Sequence, residues 1–330
     1  MKKIYIIIGL VLALASNAQD PHFSQFYSAP LYLGPSFAGM GGDTRFVMNI
    51  RDQWPKLPGA FVTSSISVDH YLHKYNSGLG MIYVRDNAGD LMITNMFGAQ
   101  YAYDIAATDR LHLIPGIQAA YYLKGINQGN LTYSDQFYNG EFGSRTSEYP
   151  TENTSNADFA LSLVGYFDNY WLGTTSDHLM KLSTVLSADP KYTPFELSAY
   201  GGAKFNLSNR LINRKKEESL SFAFLYKTQD RMHQLDLGLY LIEFPMMFGL
   251  WYRGLPVFQE TISHDALTFL AGYRFNYFTM GYSYDFTISR LITTTGGAHE
   301  ISFIYKMDNT NIRSRRRMRA LPCPDVSMSY

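Results

Sequence analysis

The stretch at residues 278–288, FTMGYSYDFTI, decides the fold, because its side chains alternate strictly between two kinds. One set is apolar and mostly aromatic, namely Phe278, Met280, Tyr282, Tyr284, Phe286 and Ile288. The other set is small or polar, namely Thr279, Gly281, Ser283, Asp285 and Thr287. A side-chain period of two is that of a β-strand. The alternation lasts about eleven residues, the length that a tilted strand needs to cross a bilayer, so it predicts one strand of a membrane β-barrel.

The same pattern recurs along the chain and predicts about fourteen strands, an even number of the kind found in single-chain bacterial barrels. The first strand begins at Arg45 and alternates at Phe46, Met48 and Ile50. The others are predicted at 60–69, 78–86, 91–104, 109–123, 157–165, 168–175, 195–206, 219–228, 232–243, 245–253, 265–276, 277–288 and 298–307. The competing fold is a pair of soluble β-sandwiches, whose strands are usually about five or six residues long. We therefore predict an all-β, antiparallel transmembrane barrel.

The predicted connections differ in length between the two sides of the barrel. With both chain ends in the periplasm, the long segments all face outward, and these are 124–156, 176–194, 254–264 and 289–297. The inward segments 70–77, 105–108, 166–167 and 276–277 are short, whereas 207–218 is longer and basic. Long outer loops and short periplasmic turns are typical of outer-membrane barrels, so this asymmetry agrees with the predicted fold.

The composition argues against several other classes of protein. Aromatic residues make up 15% of the chain, and charged residues make up 17%, against about 25% in a typical soluble domain. Beyond the first residues, no segment has 18 consecutive apolar residues, which argues against a helical membrane protein. The net charge of +0 argues against a nucleic-acid-binding protein. The single cysteine, Cys323, excludes an intrachain disulfide and a cysteine-rich zinc site.

Both ends of the chain depart from the strand pattern. Residues 1–18 are predicted to be a signal peptide rather than a membrane anchor, because the apolar run after Lys2 and Lys3 is short and small residues precede Gln19. Residues 19–44 are rich in proline and glycine and are expected to form an ordered segment at the barrel mouth or in the lumen. The predicted barrel spans 45–307, and the basic segment 308–330 is expected to be a periplasmic tail.

The sequence contains no recognisable catalytic arrangement. The G-x-S-x-G nucleophile motif and the H-E-x-x-H zinc motif are both absent. His70 and His73 lie near Asp69 in a predicted turn, where surface residues are a simpler explanation than metal ligands. We therefore expect a protein without enzymatic activity, cofactor or metal.

Four charged residues fall on the predicted luminal side of their strands and are candidate site residues: Asp285, Arg274, Lys204 and Asp236. An acid in a lumen could act as a base with a perturbed pKa, or could simply pair with an arginine or with water. Arg274 and Lys204 are the partners that we expect for the two aspartates. Cys323, between two prolines, could be a reactive thiol, could form an intermolecular disulfide, or could be a surface thiol without function. The nearby arginines could bind an acidic partner or lipid headgroups, or could form a solvated chain end.

Several short segments, in this order, resemble those of the PorP/SprF family of Bacteroidetes outer-membrane proteins, which is associated with the type IX secretion system and gliding motility. They are Gln19-Asp20-Pro21 with Phe23-Ser24-Gln25-Phe26, Pro30-Leu31 with Pro35 and Ala38-Gly39, Arg51-Asp52-Gln53-Trp54-Pro55, Gly249-Leu250-Trp251-Tyr252-Arg253, Gly281-Tyr282-Ser283-Tyr284-Asp285, Gly296-Gly297-Ala298-His299-Glu300-Ile301-Ser302 and Cys323-Pro324. The motif positions that this resemblance singles out are Gln25, Arg51, Trp54, Trp251, Arg253 and Cys323.

The resemblance implies a non-enzymatic barrel in the bacterial outer membrane that supports export or surface attachment of a secreted protein. The implied partners are an adhesin with a C-terminal secretion domain, other type IX secretion components and the lipid bilayer. A barrel of about fourteen strands is too narrow for a folded adhesin, so we expect it to bind or anchor this partner. The alternative is a channel or transporter for small or hydrophobic solutes, with residues 19–44 as a plug.

Overall fold

The structure is a computed structural model that describes residues 20–57, 59, 61–127, 153–180, 182, 192–207, 218–230, 232–255, 266–288 and 296–307. The predicted signal peptide and basic tail, together with most of the four long connections, lie outside these residues. Among the described residues, no helix is both long and apolar enough to cross a membrane.

The described chain forms one antiparallel sheet of long strands. The strands are β1 (Thr44–Gln53), β2 (Phe61–Leu72), β3 (Ser77–Ala88), β4 (Met92–Tyr103), β5 (Ile105–Ala106), β6 (Leu111–Ile126), β7 (Thr154–Phe167), β8 (Tyr170–Asp177), β9 (Glu196–Asn206), β10 (Glu218–Gln229), β11 (Met232–Glu243), β12 (Met246–Leu255), β13 (Ala266–Phe275), β14 (Phe278–Thr287) and β15 (Ala298–Met307).

Each strand pairs with the next along the chain, and β1 pairs with β15, so the sheet closes on itself without a free edge. The two-residue strand β5 pairs with β6 just beyond the end of β4 and continues its line. The wall is therefore a closed barrel of 14 strands, and the predicted fold is confirmed.

The alternation that predicts the strands separates an outer apolar face from an inner polar one. On β14, Met280 is 57% exposed on the outside, whereas Ser283 and Asp285 are 0% and 3% exposed on the inside. Large apolar side chains are exposed on the outer face all round the wall. This outer face suits contact with lipid, and the alternate residues of each strand point inward and line the lumen.

The two ends of the barrel differ in the length of their connections. At one end, the turn end, the strands are joined by 73–76, 104–110, 168–169, 244–245 and 276–277, with a longer connection at 207–217. At the other end, the loop end, the long connections 127–153, 178–195, 256–265 and 288–297 are found together. Strand order thus brings four of the five longest connections to the loop end, and 207–217 is the exception.

Residues 20–43 lie inside the barrel, and we call them the luminal segment. They contain a 3-10 turn (Phe26–Ser28), one helical turn (Pro30–Leu33) and a second 3-10 turn (Pro35–Phe37). Apart from the half-buried Tyr32, every residue from 23 to 41 is buried. The segment begins beside β8 at the loop end and reaches the turn end where β1 begins.

Two glycines in the wall make room for the luminal segment. A Cβ added at Gly78 on β3 would overlap the carbonyl of Ala38, and one added at Gly116 on β6 would overlap the backbone at Pro35 and Ser36. Any larger residue at these positions would force the wall and the segment apart. The segment is therefore packed against the wall as closely as its backbone allows.

Candidate functional site

Four strands place charged side chains together in the lumen, close to the loop end. They are Arg51 on β1, Arg253 on β12, Asp285 on β14 and Glu300 on β15. Each belongs to the alternate set of strand residues whose side chains point into the lumen, which we call the inward parity. All four are buried, with exposed fractions of 7% or less. Burying an isolated charge is costly, so these groups must satisfy one another.

Asp285 is the centre of this charged cluster. Its Oδ2 lies 2.8 Å from Nη1 of Arg51 and 2.9 Å from Nη1 of Arg253, and its Oδ1 accepts a hydrogen bond of 2.8 Å from Thr268. Arg253 also faces Asp236 on β11, with Nε 3.5 Å from Oδ2. The cluster therefore ties together strands that lie on both sides of the β1–β15 pairing.

The charged cluster also holds the start of the luminal segment. The backbone N–H groups of Ser24 and Gln25 donate to the two carboxylate oxygens of Glu300, at 2.6 and 3.1 Å. The Ser24 hydroxyl donates to Asp285 at 2.7 Å and accepts from Nη2 of Arg253 at 2.9 Å. The side-chain amide of Gln25 donates to the backbone carbonyl of Glu300 and accepts a hydrogen bond from the Ser302 hydroxyl. Two consecutive residues thus satisfy charges on several strands.

On the turn-end side of these contacts, the luminal segment is held by aromatic packing. The ring of Phe26 lies 5.0 Å from that of Trp251 in an edge-to-face arrangement, and Tyr27 meets Tyr240 in the same way at 5.2 Å. Such pairs add stability beyond the area that they bury. Farther along, Thr175 on β8 donates to the carbonyl of Leu33. The segment is therefore fixed along its length rather than at one point.

A second polar cluster binds the first described residue of the chain. His178, just after β8, bridges two carboxylates: Nε2 lies 2.6 Å from Asp20, and Nδ1 lies 2.8 Å from Asp158. Burial alone would lower the pKa of His178, but the hydrogen bonds and negative charges of Asp158 and Asp20 outweigh it and raise the pKa to about 10. His178 is thus a cation at neutral pH.

Asp20 is correspondingly held as an anion. Burial alone would raise the pKa of Asp20, but the hydrogen bond and charge of His178, helped by the charge of Lys124 and a hydrogen bond from Gln229, lower it to about 2. Gln229 donates to Asp20 at 2.8 Å from β10, two strands along the sheet from β8. The start of the luminal segment is therefore anchored between β8 and β10 by a charged pair.

The four luminal residues predicted from the sequence fall into two separate groups. Asp285 and Asp236 lie near the loop end, whereas Lys204 and Arg274 lie near the turn end. The expected pairing of the aspartates with Arg274 and Lys204 is wrong, because Arg51 and Arg253 take that role. Arg274 and Asp285 share the inward parity, but their strand positions are six residues apart, about 20 Å along the sheet.

The motif positions cluster in the structure, with two exceptions. Gln25, Arg51 and Arg253 belong to the charged cluster, and Trp251 packs beside it. Trp54 lies instead at the rim of the loop end, where its backbone N–H donates to the backbone carbonyl of Gly297 at 2.8 Å. Cys323 lies outside the described residues.

Sequence reasoning did not single out Glu300, Ser24, His178, Asp20 or Asp158 as site residues. Glu300 could have been found, because it occupies the inward parity of a well-predicted strand. Ser24 and His178 lie in segments without periodicity, so nothing local to them indicates which strands they meet. Among the described residues, no group of three or more side chains could hold a metal ion.

The arrangement binds the protein's own chain and leaves the lumen filled. In the described part of the lumen, the charged groups of the central cluster are directed at one another and at residues 24–25 rather than at a shared open space. The charged cluster therefore fixes the luminal segment to the barrel wall.

A family model described as "Type IX secretion system membrane protein PorP/SprF" matches residues 15–305. A search of curated proteins finds no match.

Similar solved structures include a hydrocarbon channel and two toluene transporters, all with low sequence identity to this chain. The CymD monoaromatic hydrocarbon channel has a TM-score of 0.50 at 10% identity, with 85% of this chain and 93% of that chain covered. The toluene transporter TbuX of Ralstonia pickettii has 0.49 at 10%, with 85% and 94% covered. The toluene transporter TodX of P. putida has 0.45 at 12%, with 82% and 91% covered. At such identities, the similarity to CymD indicates a related barrel fold and nothing about ligands.

Proposed function

Since the chain belongs to the PorP/SprF family of type IX secretion system membrane proteins, as its motifs predict, we propose that it binds or anchors a secreted surface protein. In this proposal the barrel lies in the bacterial outer membrane, with its loop end at the cell surface. Its partner is an adhesin that carries a C-terminal secretion domain, and it works beside other type IX secretion components. It performs no chemistry itself and supports export, surface attachment and gliding motility.

The observation that carries this proposal is the filled lumen. A barrel of fourteen strands is too narrow for a folded protein even when empty, and here residues 20–43 occupy its interior. Buried hydrogen bonds of Ser24 and the ion pair of Asp20 with His178 hold them there. A secreted protein would therefore cross the membrane elsewhere and meet this protein on its surface.

The long connections favour the loop end as the docking surface. The segment 127–153 contains many Tyr, Asn, Ser and Gly residues and few aliphatic ones. Tyrosine provides contact area at a small cost in conformational entropy, and Ser, Gly and Asn provide adaptable hydrogen bonding. This is the composition of surfaces that recognise other proteins.

The alternative is a channel for small or hydrophobic solutes. The buried contacts of the luminal segment weigh against it, because a conducting path would require several charged groups to lose their partners together. The two functions predict different phenotypes, so one deletion strain can separate them.

The test is to delete the gene and label surface proteins that carry a C-terminal secretion domain. We expect at least one of them to disappear from the surface. Complementation then uses two variants: one with residues 130–150 replaced by a short Gly/Ser linker, and a matched control with residues 210–216 replaced. The first variant should fail to restore surface labelling and the second should restore it, while both assemble as heat-modifiable barrels.

Normal surface labelling in the deletion strain would contradict the proposal. If labelling is normal and uptake of a small apolar solute falls, the channel is the better explanation. If both loop variants restore labelling, the docking surface is not the 127–153 connection.

A further inference from the structure

Arg85 on β3 is a cation on the outer face of the barrel. Its side chain points outward, between the half-buried Tyr83 on the turn-end side and Asn87 on the loop-end side. Every other lysine or arginine in the described strands has the inward parity: Arg45, Arg51, Lys124, Lys204, Lys227, Arg253, Arg274 and Lys306. Its position therefore needs an explanation that the luminal clusters do not give.

The Arg85 guanidinium is not neutralised within the described part of the chain. Its cross-strand neighbours on the outer face are uncharged, namely Ser64 on β2 and Asn95 on β4. The adjacent acid, Asp86, has the inward parity and accepts a hydrogen bond of 2.7 Å from Thr63. Besides the backbone pairing of its strand, Arg85 accepts a hydrogen bond from the Ser64 hydroxyl at its backbone carbonyl, and no described side chain bonds to its guanidinium.

Arg85 lies close to the loop-end edge of the apolar outer band, with one further outward-facing row, Val62, Asn87 and Ile93, beyond it. The next outward residue toward the turn end, Tyr83, packs its ring 4.8 Å from that of Phe97 and donates its hydroxyl to Asn95 at 2.9 Å. Below them Met81 is 65% exposed and apolar. Toward the loop end, β3 ends at Ala88. A charge on the lipid face costs little at this depth, and its long side chain can reach the headgroup layer.

We propose that Arg85, Ser64 and Asn95 form a binding site for the phosphate of a lipid in the leaflet at the loop end. The planar guanidinium can donate two parallel hydrogen bonds to phosphate oxygens, and here it has no competing acid. The Asn95 amide nitrogen adds a neutral donor in the same cross-strand row. The Ser64 hydroxyl adds a second when it exchanges its long, 3.5 Å hydrogen bond to the Arg85 carbonyl for one to the phosphate. The rings of Tyr83 and Phe97 lie on the turn-end side of this row, where the acyl chains of the same lipid would pack.

The occupant is a lipid rather than a free ion, because the site faces outward onto an apolar surface. Free phosphate would gain the guanidinium but would leave the Tyr83 and Phe97 rings uncovered. In an outer membrane with the loop end outside, the fitting molecule is a phosphorylated glycolipid of the outer leaflet. The site itself depends only on the barrel geometry, so it stands or falls separately from adhesin binding.

The experiment uses the mature full-length protein, purified in detergent and titrated with lipid A or with its dephosphorylated form. Bound lipid is counted by native mass spectrometry. The R85Q variant removes the charge, R85K keeps the charge without the planar fork, and K56Q removes another exposed cation at the loop end. We expect R85Q to weaken lipid A binding about fivefold, to the level of the dephosphorylated lipid. R85K should be intermediate, and K56Q should match the wild type.

Three results would overturn the assignment. They are equal lipid A binding by R85Q and the wild type, an equal loss in K56Q, or equal binding of lipid A and its dephosphorylated form by the wild type. Displacement of lipid A by inorganic phosphate at millimolar concentration would also exclude a lipid site. Because Arg85 points away from the lumen, heat-modifiable migration should be unchanged in R85Q and verifies that the variant is folded.

Discussion

At the scale of single residues, Asp285 shows how the lumen is held together. It accepts from Arg51, Arg253, Ser24 and Thr268, so one carboxylate joins three strands to the luminal segment. Removing one partner of a buried ion pair is far more destabilising than removing an exposed charge, because the remaining charges stay buried without compensation.

The D285N substitution should therefore lower the free energy of unfolding by about 3–5 kcal/mol. The cause is that Arg51 and Arg253 would share a neutral amide where they now share an anion. Urea unfolding of the detergent-solubilised barrel measures the change. The control is D109N in an exposed turn, for which we expect a change within about 0.5 kcal/mol. Equal stability of D285N and D109N would contradict the role of the cluster.

His178 gives the stability a defined pH dependence. Its pKa is raised from the ordinary 6.5 to about 10, so its contribution should be complete below pH 6.5 and lost as the pH rises toward 10. Asp20, with its pKa lowered from 3.8 to about 2, acts in the opposite sense and loses its contribution as the pH falls from about 4 to 2.

Comparing the wild type with H178Q tests this dependence. The difference in unfolding midpoint should be largest between about pH 4 and 6.5 and should shrink steadily above that range. A difference that stays constant up to pH 10 would mean that His178 is not a cation in the folded protein.

At the scale of elements, the strands could be predicted from sequence and the luminal segment could not. Alternation along 278–288 reports a local property, since each residue meets either lipid or lumen. The segment 20–43 has no such period, and its conformation depends on strands more than 200 residues away, as in the contacts of Ser24 with Glu300 and Asp285. The sequence indicated an ordered segment at the mouth or in the lumen, but not its contacts.

The same distinction explains the site. Inward parity identified Asp285 and Asp236 as luminal, because parity is local. It could not give their partners, because Arg274 has the same parity at the opposite end of its strand. Height in the barrel depends on register and closure, which a single strand does not encode.

Gly116 offers a test of how closely the luminal segment packs. The G116A substitution should displace the backbone at Pro35 and Ser36 and destabilise the packed state by about 1–3 kcal/mol. Limited proteolysis, with cleavage sites mapped by mass spectrometry, should then show cuts within residues 20–43. The control is G272A, where the nearest atom is the flexible Met247 Cε at 3.3 Å. Equal protection of the segment in both variants would contradict this packing.

At the scale of the whole molecule, the filled lumen predicts a barrel that does not conduct. The reconstituted wild-type protein should show no steady current in planar bilayers, whereas a variant lacking residues 20–38 should open a pore. Single-channel recording measures both, and heat-modifiable migration verifies that the shortened variant forms a barrel. A steady current through the wild type would instead support the channel function.

The position of residues 24–25 bears on the order in which the barrel forms. They bind β14 and β15 through Asp285 and Glu300, and Arg51 of β1 joins them across the pairing of the first and last strands. If these two strands paired first, residues 24–25 would have to enter through an end of the barrel and displace nothing on the way to buried partners. We therefore expect residues 24–25 to bind β14 and β15 before β1 pairs with β15, so that the luminal segment guides closure of the barrel.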